Sequence, residues 1–143
     1  MLAFLLALAL THARLPTVSP TPDWSSWPAL GTVTTPFGAS HPGIDVGMLR
    51  SLTVRAAQPG VVIRVGQARG FEGYGNIVEV ADGSGYTTLY AHLAGWRVRV
   101  GEQVWQGQRL GTAGCTGWCT GTHLHFEMRL RGRAVDPLLF RRP

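Results

Sequence analysis

Lysine is missing from this chain altogether: its thirteen basic side chains are all arginine. Charge of either sign is sparse, at 15% of residues against 45% apolar, which excludes an intrinsically disordered segment. With eight acids the balance is +5, so an anionic partner is favoured. Nucleic acid, anionic lipid and the acidic polymers of a cell wall all have that charge. The arginines do not group with aromatics into a nucleic-acid module, and "RLRGR" at 129–133 reads as a solvated hairpin, so no nucleic-acid partner is expected.

Long apolar runs are scarce too. The only one opens the chain, "MLAFLLALALTHA". It is too short to cross a bilayer, so no stable membrane span is expected. It fits the apolar region of a secretory signal with Ala13 at the cleavage position, so residues 1–13 are read as a signal peptide. Export to the cell envelope or beyond follows, where disulfides persist. Residues 14–30, rich in proline with Trp24 and Trp27, read as an extended linker whose tryptophans can dock on the domain. The remainder, 31–143, has room for one domain and not two.

Beyond the leader, no segment sustains an apolar period of 3.6 residues, which excludes a helical fold. Short runs rich in Val, Ile, Thr and aromatics alternate instead with glycine: "TVTTPF", "TVRAA", "GVVIRVG", "GNIVEVA", "GYTTLYAHL", "QRLGTAG" and "HLHFEMRL". "ADGSG" joins two of them as a hairpin. The expected fold is all-β, a single compact domain of antiparallel sheets, sandwich-like or barrel-like.

There are only two cysteines, in "CTGWCTGTHLHFE". A zinc finger needs histidines three to five residues apart, and a redox pair favours C-x-x-C; neither spacing is present. A cysteine nucleophile would leave a second histidine motif unexplained. The plainest reading is a Cys115–Cys119 disulfide closing the loop ahead of the histidines.

As a strand, "THLHFEMR" puts His123, His125 and Glu127 on one face and Leu124, Phe126 and Met128 on a core face. Upstream, "HPGID" presents His41 and Asp45 across a Pro-Gly turn that can fold both toward one point. A catalytic zinc site takes three protein ligands and leaves a position open, and His41, Asp45 and one of His123 or His125 supply that set. His92, in "LYAHL", is expected to share a face with Tyr90. A non-haem iron site also uses two histidines and a carboxylate, but its usual ligand pair is closer in sequence than His41 and Asp45.

"HPGID", "GYGNIVEV", "GYTTLYAHL", "VRVGEQVWQGQRLGTAGCTGWCTGTHLHFEMR" and "RAVDPLLF" together resemble, in order, the LytM/lysostaphin-type zinc metalloendopeptidases that cut peptidoglycan peptides. The resemblance spans about residues 31–140. It implies the all-β duplicated hybrid motif fold, Zn2+ as cofactor, peptidoglycan stem or cross-bridge peptides as substrate, and a monomer. It makes His41, Asp45 and His125 the metal ligands and His92 and His123 the catalytic pair, with Glu127 in support and Tyr74 and Asn76 structural. The sequence departs from the pattern in a short "PFGASHPGID" loop, in "SLTV" after the aspartate, and in Cys119 and Thr122 where relatives carry serine and proline. It also shows no recognisable propeptide or wall-targeting module. A non-catalytic relative that binds the wall or activates an amidase is the competing expectation.

Overall fold

The computed structural model describes residues 26–140, so the expected signal peptide and the stretch containing Trp24 lie outside the described residues. The strands are β1 (Thr32–Thr35), β2 (Ile44–Gly47), β3 (Thr53–Arg55), β4 (Gly60–Gly66), β5 (Asn76–Ala81), β6 (Tyr86–Trp96), β7 (Gln103–Val104), β8 (Arg109–Ala113), β9 (Leu124–Leu130) and β10 (Arg133–Val135). A short 3-10 helix, Pro137–Phe140, follows them. Every ladder is antiparallel. The spine runs β1-β2-β9-β6-β5-β4-β7, with β10 on β9 and β3 joined through β8 to β6. The fold is therefore all-β, as the sequence leads one to expect. Among the described residues no helix is long and apolar enough to cross a membrane.

Turn chemistry sets several of the joins. Between β5 and β6 the Asp82 carboxylate accepts hydrogen bonds from the N–H groups of Ser84 (2.8 Å) and Tyr86 (3.2 Å). Arg131 and Gly132 join β9 to β10 with φ of 49° and 82°, the twist a two-residue hairpin favours. "HPGID" is a turn that runs straight into a strand, since Asp45 lies on β2. Gly43 makes that approach possible: a Cβ there would lie 2.3 Å from the Phe126 carbonyl oxygen. The chain joins the body slightly ahead of Gly31. Trp27 packs on the main core, and the Pro28 and Leu30 carbonyls accept from the N–H groups of Arg55 and Arg50.

Strand β9 lies inside the sheet, bordered by β6 on one edge and by β2 and β10 on the other. Leu124, Phe126 and Met128 are fully buried in the main core with Ile44, Val46 and Tyr90. The opposite face is closed as well: His125 is 6% exposed and Glu127 0%. Ala68, Phe71 and Tyr74 cover the neighbouring residues Ile77, Leu89 and Ala91.

His92 corrects the expectation that it shares a face with Tyr90. The β5–β6 register passes from Val78↔Tyr90 to Asn76↔Leu93, so β6 carries one extra residue, and His92 has φ 60°. This bulge returns Leu93 to the core and turns His92 away from Tyr90. Its ring then lies 4.8 Å from that of His123 and 5.9 Å from that of His125, centroid to centroid. A left-handed histidine costs about 1–3 kcal/mol and persists only where its surroundings hold it. Here the His92 N–H is tied to the Tyr74 carbonyl at 2.9 Å.

Candidate metal centre

All five histidine and aspartate candidates meet in one groove of about 530 Å³, walled also by Tyr74, Trp118 and Cys119. The Asp45↔His125 pairing of β2 and β9 sets two of them side by side, although they are 80 residues apart in sequence. His41 arrives from the turn before β2, and His123 from the bridge Gly114↔His123 just ahead of β9.

The acceptors around each ring decide which nitrogen carries the proton, because a carbonyl oxygen can only accept. His41 Nδ1 faces the Pro36 carbonyl at 2.9 Å, so Nδ1–H donates and Nε2 presents a lone pair to the groove. His92 donates Nδ1–H to the Thr116 carbonyl (2.8 Å), and His123 donates Nδ1–H to the Gly121 carbonyl (2.7 Å). His125 differs: Nε2–H donates to Glu127 Oε1 at 2.9 Å and Nδ1–H to Asp45 Oδ1 at 2.8 Å, since both carboxylates can only accept, and it is the Nδ1 proton that a bound metal ion would displace. Asp45 Oδ1 is also 3.2 Å from His41 Nε2 and 3.7 Å from His123 Nε2. One donor atom each from His41, Asp45 and His125 lies within 4.8 Å of the others, close enough to hold a metal ion. Two nitrogens and a carboxylate oxygen, half-buried beside an open groove, suit zinc with a coordination position left free.

Electrostatics agree with this geometry. Burial works to raise the Asp45 carboxyl, but the hydrogen bond and charge of His125, with His41 and His123, overcome it and hold the pKa at about 2. Burial likewise opposes a charged His125, yet Asp45 and Glu127 lift it to about 9. The anionic field that does this would equally attract a divalent cation. His92 moves the other way: burial, reinforced by the neighbouring His123 and His125, lowers its pKa and outweighs the Thr116 carbonyl and Asp45.

Glu127 sits beneath the groove and does not line it. It is fully buried and accepts from His125, from the Tyr74 hydroxyl (2.5 Å) and from Arg129 Nε (2.6 Å). Those three donors outweigh burial and keep it ionised. Burial and the Glu127 carboxylate push the Tyr74 phenol well above its ordinary value, so it remains a donor. Sequence reasoning placed Tyr74 as structural, and the structure adds that it walls the groove. It missed Thr116 and Trp118. Their only signal is position: both lie inside the loop closed by the Cys115–Cys119 disulfide, which the structure contains.

Comparison with known proteins follows the same line. Residues 39–137 match the family model Peptidase family M23. The chain is 36% identical over 127 residues to the murein hydrolase activator NlpD of Escherichia coli, covering 87% of this chain and 32% of that protein. It therefore spans about a third of that relative's length. A zinc containing peptidase from Vibrio cholerae superposes with a TM-score of 0.71 at 29% identity, over 86% of this chain and 40% of that one. The catalytic domain of the antimicrobial peptidase lysostaphin from Staphylococcus simulans gives 0.65 at 29% identity, over 77% of this chain and 89% of that one.

Proposed function

The chain belongs to peptidase family M23, and from that premise we propose that it is a zinc-dependent endopeptidase that hydrolyses peptide cross-links of bacterial peptidoglycan. The observation that carries this reading is the convergence of His41, Asp45 and His125 on one point, with two more histidines beside it in an open groove. Likeness to a zinc containing peptidase and to lysostaphin supports it.

His41 Nε2, Asp45 Oδ1 and His125 Nδ1 would hold the ion. Zinc so held supplies Lewis acidity for the scissile carbonyl and lowers the pKa of water. His92 and His123 form the catalytic pair. Each is fixed as the Nδ1–H tautomer by a backbone carbonyl, so each turns Nε2 to the substrate. An unprotonated Nε2 takes a proton from the attacking water, and an imidazole that has gained one donates to the leaving amine or to the developing oxyanion. The lowered pKa of His92 keeps it neutral and ready as an acceptor at neutral pH. Glu127 holds the His125 ring so that Nδ1, not Nε2, faces Asp45 and would be the ligand atom. Glu127→Gln is expected to weaken zinc affinity about 10–100-fold, read by competition with a chromogenic chelator, because it removes the charge that raises His125 basicity.

The net charge of +5 suits work on an anionic wall. Likeness to NlpD favours a second reading, an activator of other murein hydrolases. Clearing of purified sacculi separates the two. Zinc-loaded protein is expected to clear them, to stop after chelation and to resume on zinc addition. Full clearing after chelation would overturn the metal mechanism. No clearing alone, with acceleration of an added amidase, would establish the activator.

A further inference from the structure

The loop 115–119 closed by the disulfide reaches both histidines of the catalytic pair, each at its Nδ1 edge. At its start, the Thr116 carbonyl accepts from His92 Nδ1 at 2.8 Å. At its end, Cys119 Sγ lies 3.6 Å from His123 Nδ1, next to the Gly121 carbonyl that accepts from that ring. Between them Trp118, 85% exposed, walls the groove.

The loop is fastened closely at its start, whereas at its end the backbone is held by a long bond from the His123 N–H to the Gly114 carbonyl (3.3 Å). The Thr116 hydroxyl donates to the Leu93 carbonyl (2.8 Å) and accepts from the Asn76 N–H (3.1 Å), and the Trp118 N–H donates to the Gly73 carbonyl (2.8 Å). The fit is tight there: a Cβ on Gly75 would lie 2.4 Å from the Thr116 carbonyl carbon, and one on Gly117 would lie 2.4 Å from the Gly73 oxygen. Past Trp118 the chain turns through exposed Thr120 and Gly121 before His123, and there the bond to Cys115 is the covalent tie. A loop this short gains the least from cross-linking in chain entropy, so global stability is a poor explanation for the disulfide. The metal ligands are held from elsewhere: His41 by Pro36, His125 by Glu127, Asp45 by its place on β2.

Resting on the reading of His92 and His123 as the catalytic pair, we propose that the Cys115–Cys119 disulfide positions His123 within that pair and that cleavage therefore depends on its being oxidised. Reduction leaves two thiols in place of the S–S bond. With a phosphine and water as reductant, the phosphine becomes its oxide and each sulfur gains a hydrogen. Cys119 is then free to move with residues 120–122, and His123 loses its fixed orientation, while the cluster of His41, Asp45 and His125 stays assembled.

The test compares zinc-loaded protein in its oxidised, phosphine-reduced and reoxidised states with the Cys115→Ser/Cys119→Ser variant without reductant, on dye-labelled sacculi. Apparent kcat is expected to fall roughly tenfold to a hundredfold on reduction and in the variant, as for a misplaced catalytic group. Apparent KM should stay within about twofold and zinc content should be unchanged, and reoxidation of wild type should restore kcat. Unchanged kcat in both reduced protein and variant would overturn the proposal, and so would zinc lost together with activity. Imidazole nitrogen NMR gives a readout independent of turnover: His92 and His123 as Nδ1–H tautomers when oxidised, with His123 averaging between tautomers when reduced. If the oxidised protein cleaves nothing yet His123 changes in this way, the proposed activity fails and the positioning role stands. If both tautomers are indifferent to reduction, the positioning role fails.

Discussion

His125→Ala is expected to lose zinc and cleavage together, leaving less than about one part in a thousand of wild-type activity. Two of the proposed ligands, His41 and Asp45, would remain, and two donors do not complete a site that needs three. The loss extends beneath the proposed metal site. Glu127, fully buried, would keep Tyr74 and Arg129 but lose the His125 N–H, and a cavity the size of an imidazole would open beside it. A lower melting temperature is thus expected with the lost metal. Zinc per protein after dialysis, measured by mass spectrometry, and clearing of sacculi are the two readouts. Re-addition of zinc should restore chelated wild type and leave His125→Ala inactive. A variant that keeps its zinc would remove His125 from the ligand set.

How much of this could be read before the structure depends on how local the cause is. Alternation along β9 is local, so the division of "THLHFEMR" into a core face and a histidine face followed from strand geometry alone. The hairpin at "ADGSG" and the pairing of Cys115 with Cys119 were legible for the same reason. Strand β2 was not, since "IDVG" carries little strand signal of its own and is a strand because β1 and the sequence-distant β9 flank it. Nor were β7 and β10, at two and three residues. His92 is the most instructive case. Its residue type marked it, but its direction depends on a one-residue bulge and a positive φ, and strict alternation turns it into the core. Thr116 contributes through its backbone carbonyl, which no side-chain pattern announces.

The roles of the two histidines on "THLHF" are separated by one substitution. His123→Ala is expected to retain zinc and to lower kcat by about 10²–10⁴-fold, the range for removing a positioned proton-transfer group, with little change in KM. Three features of its surroundings argue for this. Its Nε2 is 3.7 Å from Asp45 Oδ1, farther than His125 Nδ1 at 2.8 Å or His41 Nε2 at 3.2 Å. Its side chain keeps 18% exposure at the groove wall, where a substrate can reach it, against 7% for His125 beneath. Its Nδ1–H is spent on the Gly121 carbonyl, so the remaining lone pair points into the same space as that of His92, the rings being 4.8 Å apart. His92→Ala should therefore resemble it in zinc content and in kcat. The double variant should fall short of the product of the two single effects, because groups that act as a unit are not additive. Zinc lost from His123→Ala but kept by His125→Ala would exchange the two roles. Effects of His92→Ala and His123→Ala that simply multiply would show two independent contributions where the geometry joins them.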